Sequence, residues 1–128
     1  MILLDTCALV WWTLDPDKLS RKARHACDSI SRHGALVSSV SFWEIGIKIK
    51  KGKLDIGTSL RDYIKRIGSM DTLTIVPVDE TIWLASVELD WIHPDPADRV
   101  IVSTARMNSS PIVTSDAVIR RYYKKIVW

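Results

Sequence analysis

Four acidic residues occupy places where carboxylates do chemistry in parallel-sheet proteins. Asp5 directly follows the first short apolar run of the chain, and Asp116 follows the fourth. Glu44 opens the helical segment after the second run, and Asp98 lies in the first turn of a later helical segment. Functional groups of open parallel sheets gather beyond the carboxyl ends of the strands, where loops enter helices. We therefore expect the four carboxylates to meet at one sheet edge, provided that the first and fourth strands are neighbours.

Four carboxylates gathered in one place repel one another when they are ionised, so they need a counter-charge. Oxygen ligands suit Mg²⁺ or Mn²⁺ rather than zinc, and paired ions of this kind stabilise both the attacking and the leaving oxygen of a phosphodiester during in-line displacement. Taken singly, each acid is more often the cap of a helix. Capping does not require all four to lie on the same edge, so their common placement favours a metal site.

Five short apolar runs have the length of strands, and longer segments with helical spacing separate them. The runs are Ile2–Leu4, Ala35–Val37, Leu73–Val76, Ile112–Thr114 and Lys125–Val127. An alternation of strands and helices is typical of a parallel sheet with helices on both faces. The sequence thus predicts the α/β class.

The helical segments are recognised by polar starts and apolar stripes. The stripes are Leu19, Ala23, Ala26 and Ile30 after Pro16–Asp17; Leu60, Ile64 and Ile67 after Thr58; and Ile82, Ala85 and Leu89 after Asp79. Another helix is predicted from Asp95–Pro96 through Ala105. The segment 41–51 alternates as an edge strand would, but Ser41 and Glu44 form a capping-box pattern, so we predict a helix that Gly52 ends.

The composition is that of a folded globular protein of about one domain. Hydrophobic residues make up 47% and charged residues 26% of the 128 positions, which excludes a disordered chain, and the net charge of +3 decides little about partners. Cys7 and Cys27 match no zinc spacing, so we expect neither a zinc site nor a disulfide scaffold. No apolar run is long enough to span a membrane, so we expect a soluble, cytoplasmic protein without a membrane partner.

Five sequence motifs stand in order along the chain. They are Leu4-Asp5-Thr6, Ser41-x-x-Glu44 with Trp43, Gly52-Lys53-Leu54, His93-x-Asp95-Pro96-x-Asp98-Arg99 and Val113-Thr114-x-Asp116. Together they resemble the PIN-domain family, and most closely the VapC-type ribonuclease toxins of prokaryotic toxin–antitoxin pairs. The resemblance implies one PIN domain over residues 1–128, built as a three-layer α/β/α sandwich around a central, mainly parallel five-stranded sheet. It also implies Mg²⁺- or Mn²⁺-dependent RNA cleavage, a cognate antitoxin and a homodimer.

The resemblance also implies roles for individual residues. The catalytic, metal-binding quartet would be Asp5, Glu44, Asp98 and Asp116. Asp5 and Asp98 would hold the ion directly, and the other two would complete its shell directly or through water. Thr6 and Thr114 match hydroxyl positions beside the acids and would orient them.

Basic residues form two clusters that could contact RNA. They are Lys48, Lys50, Lys51 and Lys53, and then Arg120, Arg121, Lys124 and Lys125 around Tyr122 and Tyr123. Basic side chains interleaved with aromatic ones suit a single-stranded nucleic acid, although a solvated protein face is an equally good interpretation of each cluster. Arg99 could contact phosphate or pair with a neighbouring acid. His93 is assigned a loop or supporting role rather than that of a general base.

Other features leave alternatives open. Trp11 and Trp12 are adjacent on a predicted helix and cannot both face the core, so at least one is expected at an interface unless ordinary packing accommodates both. Instead of a nuclease, the chain could be a catalytically idle PIN-like module that binds RNA or protein. A receiver-like phosphoacceptor domain shares the α/β layout, but its acidic pair and its lysine after the fifth strand are not visible here.

Overall fold

The computed structural model describes all residues from Met1 to Trp128, and a sheet of five parallel strands forms its centre. The strands are β1 (Ile2–Leu4), β2 (Ala35–Ser38), β3 (Leu73–Val76), β4 (Ile112–Val113) and β5 (Ile126–Val127). They lie in the order β3-β2-β1-β4-β5, so the first and fourth strands are neighbours at the centre, as the placement of the acids requires. All four pairings are parallel, which confirms the predicted α/β class.

Eight α-helices and one short 3₁₀ helix (Pro16–Lys18) connect the strands. The α-helices are α1 (Thr6–Leu14), α2 (Arg21–Asp28), α3 (Ile30–His33), α4 (Val40–Lys50), α5 (Leu60–Gly68), α6 (Glu80–Glu88), α7 (Pro96–Met107) and α8 (Ala117–Tyr122). None of them is both long and apolar enough to cross a membrane.

Successive strand residues point to opposite faces of the sheet, and this alternation divides the core into two layers. Leu4 and Val37 pack in one cluster with side chains from α1 to α5. Leu3 and Leu36 pack in the other cluster, which draws mainly on α6, α7 and α8. Because these strands are buried on both faces, their sequences are continuously apolar. The result is the three-layer α/β/α sandwich that the sequence predicts.

Aspartate and serine side chains begin most of the helices. Each of six such residues accepts a hydrogen bond from a backbone N–H of the first helical turn: Asp5, Ser20, Ser59, Asp79, Asp95 and Asp116. Two of the four predicted site acids, Asp5 and Asp116, are therefore themselves helix caps.

The structure corrects three details of the predicted helices. Helix α4 begins at Val40 without a side-chain cap, so the expected capping box of Ser41 and Glu44 does not form. In α5, Tyr63 is buried in place of Ile64, because Tyr63 and Ile67 share the face that packs on the sheet. The helical segment predicted to reach Ile30 breaks at Ser29 into two helices.

Cysteine and tryptophan side chains are placed as follows. Cys7 and Cys27 are free thiols, as expected. Trp11 and Trp12 are both half-buried against the core, and the ring of Trp11 packs 5.7 Å from that of Trp128. The tryptophans most open to solvent are Trp43 and Trp83, which the sequence does not single out as surface residues.

Candidate active site

The carboxyl ends of β1 and β4 form the floor of the candidate site. The two strands pair in parallel with Leu4 opposite Val113, so the residues that follow them emerge side by side. The backbone N–H of Asp5 donates to the carbonyl of Val113 at 3.2 Å, which continues the ladder by one residue. Asp5 and Asp116 therefore reach the same edge because of strand pairing, although they lie far apart in sequence.

Asp5 is buried and held from two sides. One carboxylate oxygen accepts a hydrogen bond of 2.8 Å from the N–H of Ala8 and so caps α1. The other accepts a hydrogen bond from the hydroxyl of Thr114. Each carboxylate oxygen has a second lone pair, so these contacts fix the orientation of the group without exhausting its capacity to bind a cation.

Thr114 also orients the next acid. Its hydroxyl accepts a hydrogen bond of 3.0 Å from the N–H of Asp116, while its own hydrogen goes to Asp5. The carboxylate of Asp116 in turn accepts from the N–H groups of Val118 and Ile119 at the start of α8. The buried hydroxyl of Thr114 thus connects Asp5, which follows β1, with Asp116, which follows β4.

Glu44 enters the site from the interior of α4. Its carboxylate accepts a hydrogen bond of 2.5 Å from the hydroxyl of Thr6, the first residue of α1. The same hydroxyl lies 2.9 Å from that of the buried Ser41, one turn before Glu44 on α4. The pattern Ser41-x-x-Glu44 therefore reflects two groups that face Thr6 from successive turns of α4.

Asp98 enters the site from the first turn of α7. Its carboxylate lies 2.7 Å from Nε2 of His93, and its backbone N–H donates to the side chain of Asp95, which caps the helix. The ligand atoms of His93, Asp95 and Asp98 all lie within 4.8 Å of one another. His93 therefore contacts one of the four acids directly.

Burial raises the pKa values of Asp5, Glu44 and Asp98, and neighbouring negative charges raise them further. The pKa of Asp5 is raised to about 6, chiefly by desolvation, with smaller contributions from the charges of Glu44 and Asp98. Desolvation is also the main cause that raises the pKa of Asp98 to about 6, to which the charges of Asp116 and Glu44 contribute. Burial raises the pKa of Glu44 as well. The four carboxylates are therefore close enough to oppose one another's ionisation.

No lysine or arginine neutralises these acids through an ion pair. The three ion pairs of the structure are Lys18–Asp15, Arg24–Asp17 and the His93–Asp98 contact. Lys48, one turn after Glu44 on α4, is the nearest source of compensating charge, and its effect on the pKa of Glu44 is smaller than that of burial. Because no cationic side chain is paired with these carboxylates, a bound metal cation could neutralise their charge.

Arg99 forms no ion pair with a neighbouring acid, contrary to one of the two expectations for it, and its guanidinium faces the protein backbone instead. Its guanidinium donates all five of its N–H groups to backbone carbonyls at the end of α6 and in the loop that follows. The acceptors are Ser86 at 2.9 Å, Val87 at 3.3 Å, Leu89 at 3.0 Å, Trp91 at 2.5 Å and His93 at 2.9 Å. Arg99 therefore holds the loop that presents His93 to Asp98. Sequence could not reveal this, because backbone carbonyls leave no residue-type signal.

We expect Arg99→Ala to lower the free energy of unfolding by about 1–3 kcal/mol, because several loop and helix-end carbonyls would lose a charged donor. Arg99→Lys should recover only a part of the lost unfolding free energy, since one ammonium group cannot reach all five carbonyls. Urea titration followed by circular dichroism measures both values. Arg24→Ala, which removes an exposed ion pair with Asp17, is the matched control and should change stability by under about 0.5 kcal/mol. An equal loss in both alanine variants would contradict the role of Arg99.

The predicted basic residues fall into two distant places. Lys48 lies close enough to Glu44 for their charges to interact, whereas Lys50 and Lys51 are exposed at the far end of α4. Arg120 and Arg121 are exposed in the last turn of α8. Only Lys48 of these residues is therefore placed beside the acids.

An apolar groove of about 400 Å³ borders the acids on the side of α6. Trp43, Val78, Trp83 and Ala97 are among the residues that line it. Trp43 precedes Glu44 on α4 and Ala97 precedes Asp98 on α7, so the groove is formed by the two helices that carry these acids.

Comparisons with known proteins agree with this architecture. A family model described as the PIN domain matches residues 2–125. Ribonuclease VapC22 of Mycobacterium tuberculosis is 24% identical over 122 residues, which are 94% of this chain and 91% of that protein.

Solved structures with the same fold include components of toxin–antitoxin complexes. A toxin–antitoxin complex from Klebsiella pneumoniae has a TM-score of 0.68 at 17% identity and covers 100% of this chain and 97% of its own. VapBC2 from Rickettsia felis, bound to a promoter DNA fragment, has a TM-score of 0.65 at 17% identity, and the match covers 98% of this chain and 96% of that one. FitAcB from Neisseria gonorrhoeae has a TM-score of 0.63 at 21% identity, and the match covers 93% of this chain and 90% of that one.

Proposed function

The chain belongs to the PIN-domain family, and from that premise we propose that it is a divalent-metal-dependent endoribonuclease that acts as the toxin of a toxin–antitoxin pair. The observation that carries this proposal is the gathering of Asp5, Glu44, Asp98 and Asp116 at one edge of the sheet, without a lysine or arginine ion pair. The similarity to a protein named a ribonuclease supports the choice of RNA as substrate.

The donor set fits Mg²⁺ or Mn²⁺. All four groups are carboxylates, the oxygen ligands that these ions prefer. Burial is the main cause that raises the pKa values of Asp5, Glu44 and Asp98, and the charges of neighbouring acids raise them further. The tight group of His93, Asp95 and Asp98 does not include the other three acids, which are spaced more widely. Wider spacing suits an ion that keeps several waters of its own. Asp5, Glu44, Asp98 and Asp116 would hold it.

When bound, such an ion supplies a water of lowered pKa and neutralises charge on the phosphate. The protein's own groups prepare the site for that chemistry. Thr114 fixes Asp5 and Asp116, Thr6 fixes Glu44, and His93 fixes Asp98, so all four carboxylates are oriented before a substrate arrives. Lys48 lies beside Glu44, where its charge can attract the phosphate backbone.

A cognate antitoxin is the proposed protein partner. Solved structures of the same fold come from toxin–antitoxin complexes, and the apolar groove lined by Trp43 and Trp83 borders the acids. A protein segment in that groove would cover the route to Glu44 and Asp98, which would explain inhibition. We also propose a homodimer, for which the exposed side chains of Leu84 and Val87 on α6 supply apolar surface.

Removal of divalent metal should abolish cleavage, because the carboxylates alone carry no positive charge with which to activate water. The purified protein is incubated with total RNA and with a labelled single-stranded RNA in the presence of Mg²⁺, Mn²⁺ or EDTA, and products are resolved by gel electrophoresis. We expect cleavage with one or both ions and none with EDTA. RNA binding without cleavage under every condition would favour the idle-module alternative, and cleavage in EDTA would contradict the metal site.

A further inference from the structure

Five basic side chains line a depression along α8 and β5, which we name the basic groove. It consists of two adjoining hollows of about 410 and 750 Å³ that share Tyr123 and Lys124. The five basic residues are Arg106, Arg120, Arg121, Lys124 and Lys125. All five are exposed, none forms an ion pair with a carboxylate, and no acidic residue lines either hollow.

Such a concentration of unpaired positive charge has a physical cost that a ligand can remove. The like charges of the groove repel one another, and no protein acid offsets them. A bound polyanion would offset several at once and release the counterions condensed on it, which is the main source of affinity in nucleic-acid binding. Charge complementarity therefore indicates a polyanionic occupant.

The position of the groove relates it to the carboxylates. Helix α7 begins at the carboxyl edge of the sheet, where Asp98 lies, and ends near the amino edge. Arg106 comes eight residues after Asp98, which places it about 12 Å farther along the helix axis at the usual rise per residue. A strand of a few nucleotides would span that distance.

A row of planar side chains connects the two places. His93 contacts Asp98 at 2.7 Å, and its ring lies 4.8 Å from that of Trp91. Trp91 stacks on Tyr122 with ring centroids 4.4 Å apart and planes 7° from parallel. The guanidinium of Arg106 lies over Tyr122 at 5.8 Å. The row thus runs from a site acid to a cation of the basic groove without a break.

These observations favour RNA over an acidic protein segment as the occupant. A track of unpaired cations beside half-exposed aromatic side chains suits single-stranded nucleic acid, whose phosphates contact the cations. The row also begins at Asp98, where the cleaved strand must pass if the acids are catalytic. Arg99 holds the backbone of Trp91 and His93, so the row is set before any ligand binds.

We propose that the RNA strand leaves the carboxylates along the row of His93, Trp91 and Tyr122, and that the basic groove holds its backbone a few nucleotides from the cleaved bond. This inference rests on the proposed ribonuclease function and assigns a flanking substrate site to it. Lys124 lines both hollows of the groove and Lys125 lines the first, so two phosphates of the strand would pass these side chains.

Binding is tested in an Asp5→Asn background, so that the probe stays intact. The probe is a fluorescein-labelled single-stranded RNA of about 20 nucleotides, followed by fluorescence anisotropy at several salt concentrations. The added double variant Lys124→Ala/Lys125→Ala should raise the Kd about 5- to 20-fold and reduce the salt slope by about 1.4, the value for two lost phosphate contacts. Circular dichroism confirms that each variant is folded.

The matched control is Lys65→Ala/Arg66→Ala on α5. This adjacent exposed pair also lacks an acidic partner, but its helix packs on β3, at the opposite sheet edge from β5. It should leave the Kd and the salt slope unchanged. An unchanged Kd in the Lys124/Lys125 variant, or an equal loss in the control, would overturn the proposal. Loss of binding to poly-L-glutamate with RNA binding retained would also overturn it and would indicate an acidic protein partner.

Cleavage kinetics supply a second, independent readout. In the chain with Asp5 intact, the ratio of kcat/KM for the long RNA to that for an RNA of about four nucleotides should fall about 5- to 20-fold in the Lys124/Lys125 variant. An unchanged ratio would overturn the proposal. If the unaltered protein cleaves no RNA with either ion, the proposed function fails, while the anisotropy measurement still decides whether the basic groove binds RNA.

Discussion

Replacement of Asp5 by asparagine should reduce RNA cleavage by about 10³-fold or more while the protein stays folded, because the buried carboxylate is central to the proposed metal site. Asparagine can keep both existing contacts of the side chain. Its carbonyl oxygen can accept from the N–H of Ala8, and its amide can donate to the hydroxyl of Thr114, which is free to rotate. The variant thus removes charge from the site without removing the cap of α1.

The measurement is the initial rate of cleavage of a labelled RNA with saturating Mg²⁺ or Mn²⁺, alongside a circular dichroism spectrum. Asp71→Asn makes the same chemical change at an exposed position without an ion pair, so it should retain full activity. Asp98→Asn, Asp116→Asn and Glu44→Gln should each lose activity as well, if the four acids act together. Full activity of Asp5→Asn in a nuclease-free preparation would disprove the assignment.

The same Asp5→Asn change should stabilise the metal-free protein at pH 7 by about 1–3 kcal/mol. Burial raises the pKa of Asp5 from 3.8 to about 6, so the ionised carboxylate opposes folding at neutral pH. Asparagine has no charge to desolvate, although it gives up a favourable interaction with the start of α1 worth about 0.3–1 kcal/mol. If Asp5 is retained for function rather than for stability, its replacement should lower activity and raise the free energy of unfolding.

The stability gained by the Asp5→Asn change should increase as the pH rises. Between about pH 4 and pH 6 the folded state binds more protons than the unfolded state, because its Asp5 pKa is the higher one. The unfolding free energy of the unaltered protein in EDTA therefore falls as pH rises through this window, and the raised pKa of Asp98 acts in the same direction. The difference in unfolding free energy between Asp5→Asn and the unaltered protein should be near zero below pH 4 and largest at pH 7.

Urea titrations of both proteins in EDTA, at several values between pH 4 and pH 7.5, measure this difference. Asp71→Asn should follow the unaltered protein at every pH. Saturating Mg²⁺ should stabilise the parent more than Asp5→Asn, because only the parent has a full set of ligands for the ion. A destabilised Asp5→Asn protein at pH 7 would show that the carboxylate contributes to the fold rather than opposing it.

Much of the fold could be predicted because its signals are local. The apolar runs at Ile2–Leu4, Ala35–Val37 and Leu73–Val76 match strands within one residue, since a doubly buried strand needs an unbroken apolar sequence. Helix starts at Asp79 and Asp95 were also predictable, because capping needs a particular side chain at a particular place. The buried face of α5 was predicted less well, because tertiary contacts selected Tyr63 rather than Ile64 for the core.

The contacts that position the side chains of the candidate site were less predictable than the fold. The approach of Asp5 to Asp116 follows from strand order, which a connection of over 100 residues leaves open in the sequence. The bond from Thr6 to Glu44 depends on where α1 and α4 meet. The role of Arg99 depends on five backbone carbonyls, and any residue type could supply those.

The sequence by itself determined the four carboxylates, the strands and helix starts that carry them, and the resemblance to the PIN-domain family. These are properties of residue type and spacing, on which periodicity and capping act within a few residues. Only the tertiary structure decided that Arg99 fastens a loop, that Glu44 is oriented by Thr6, and that a row of rings leads from Asp98 to the basic groove. Such contacts join residues that are distant in sequence, so their geometry exists only after the chain has packed.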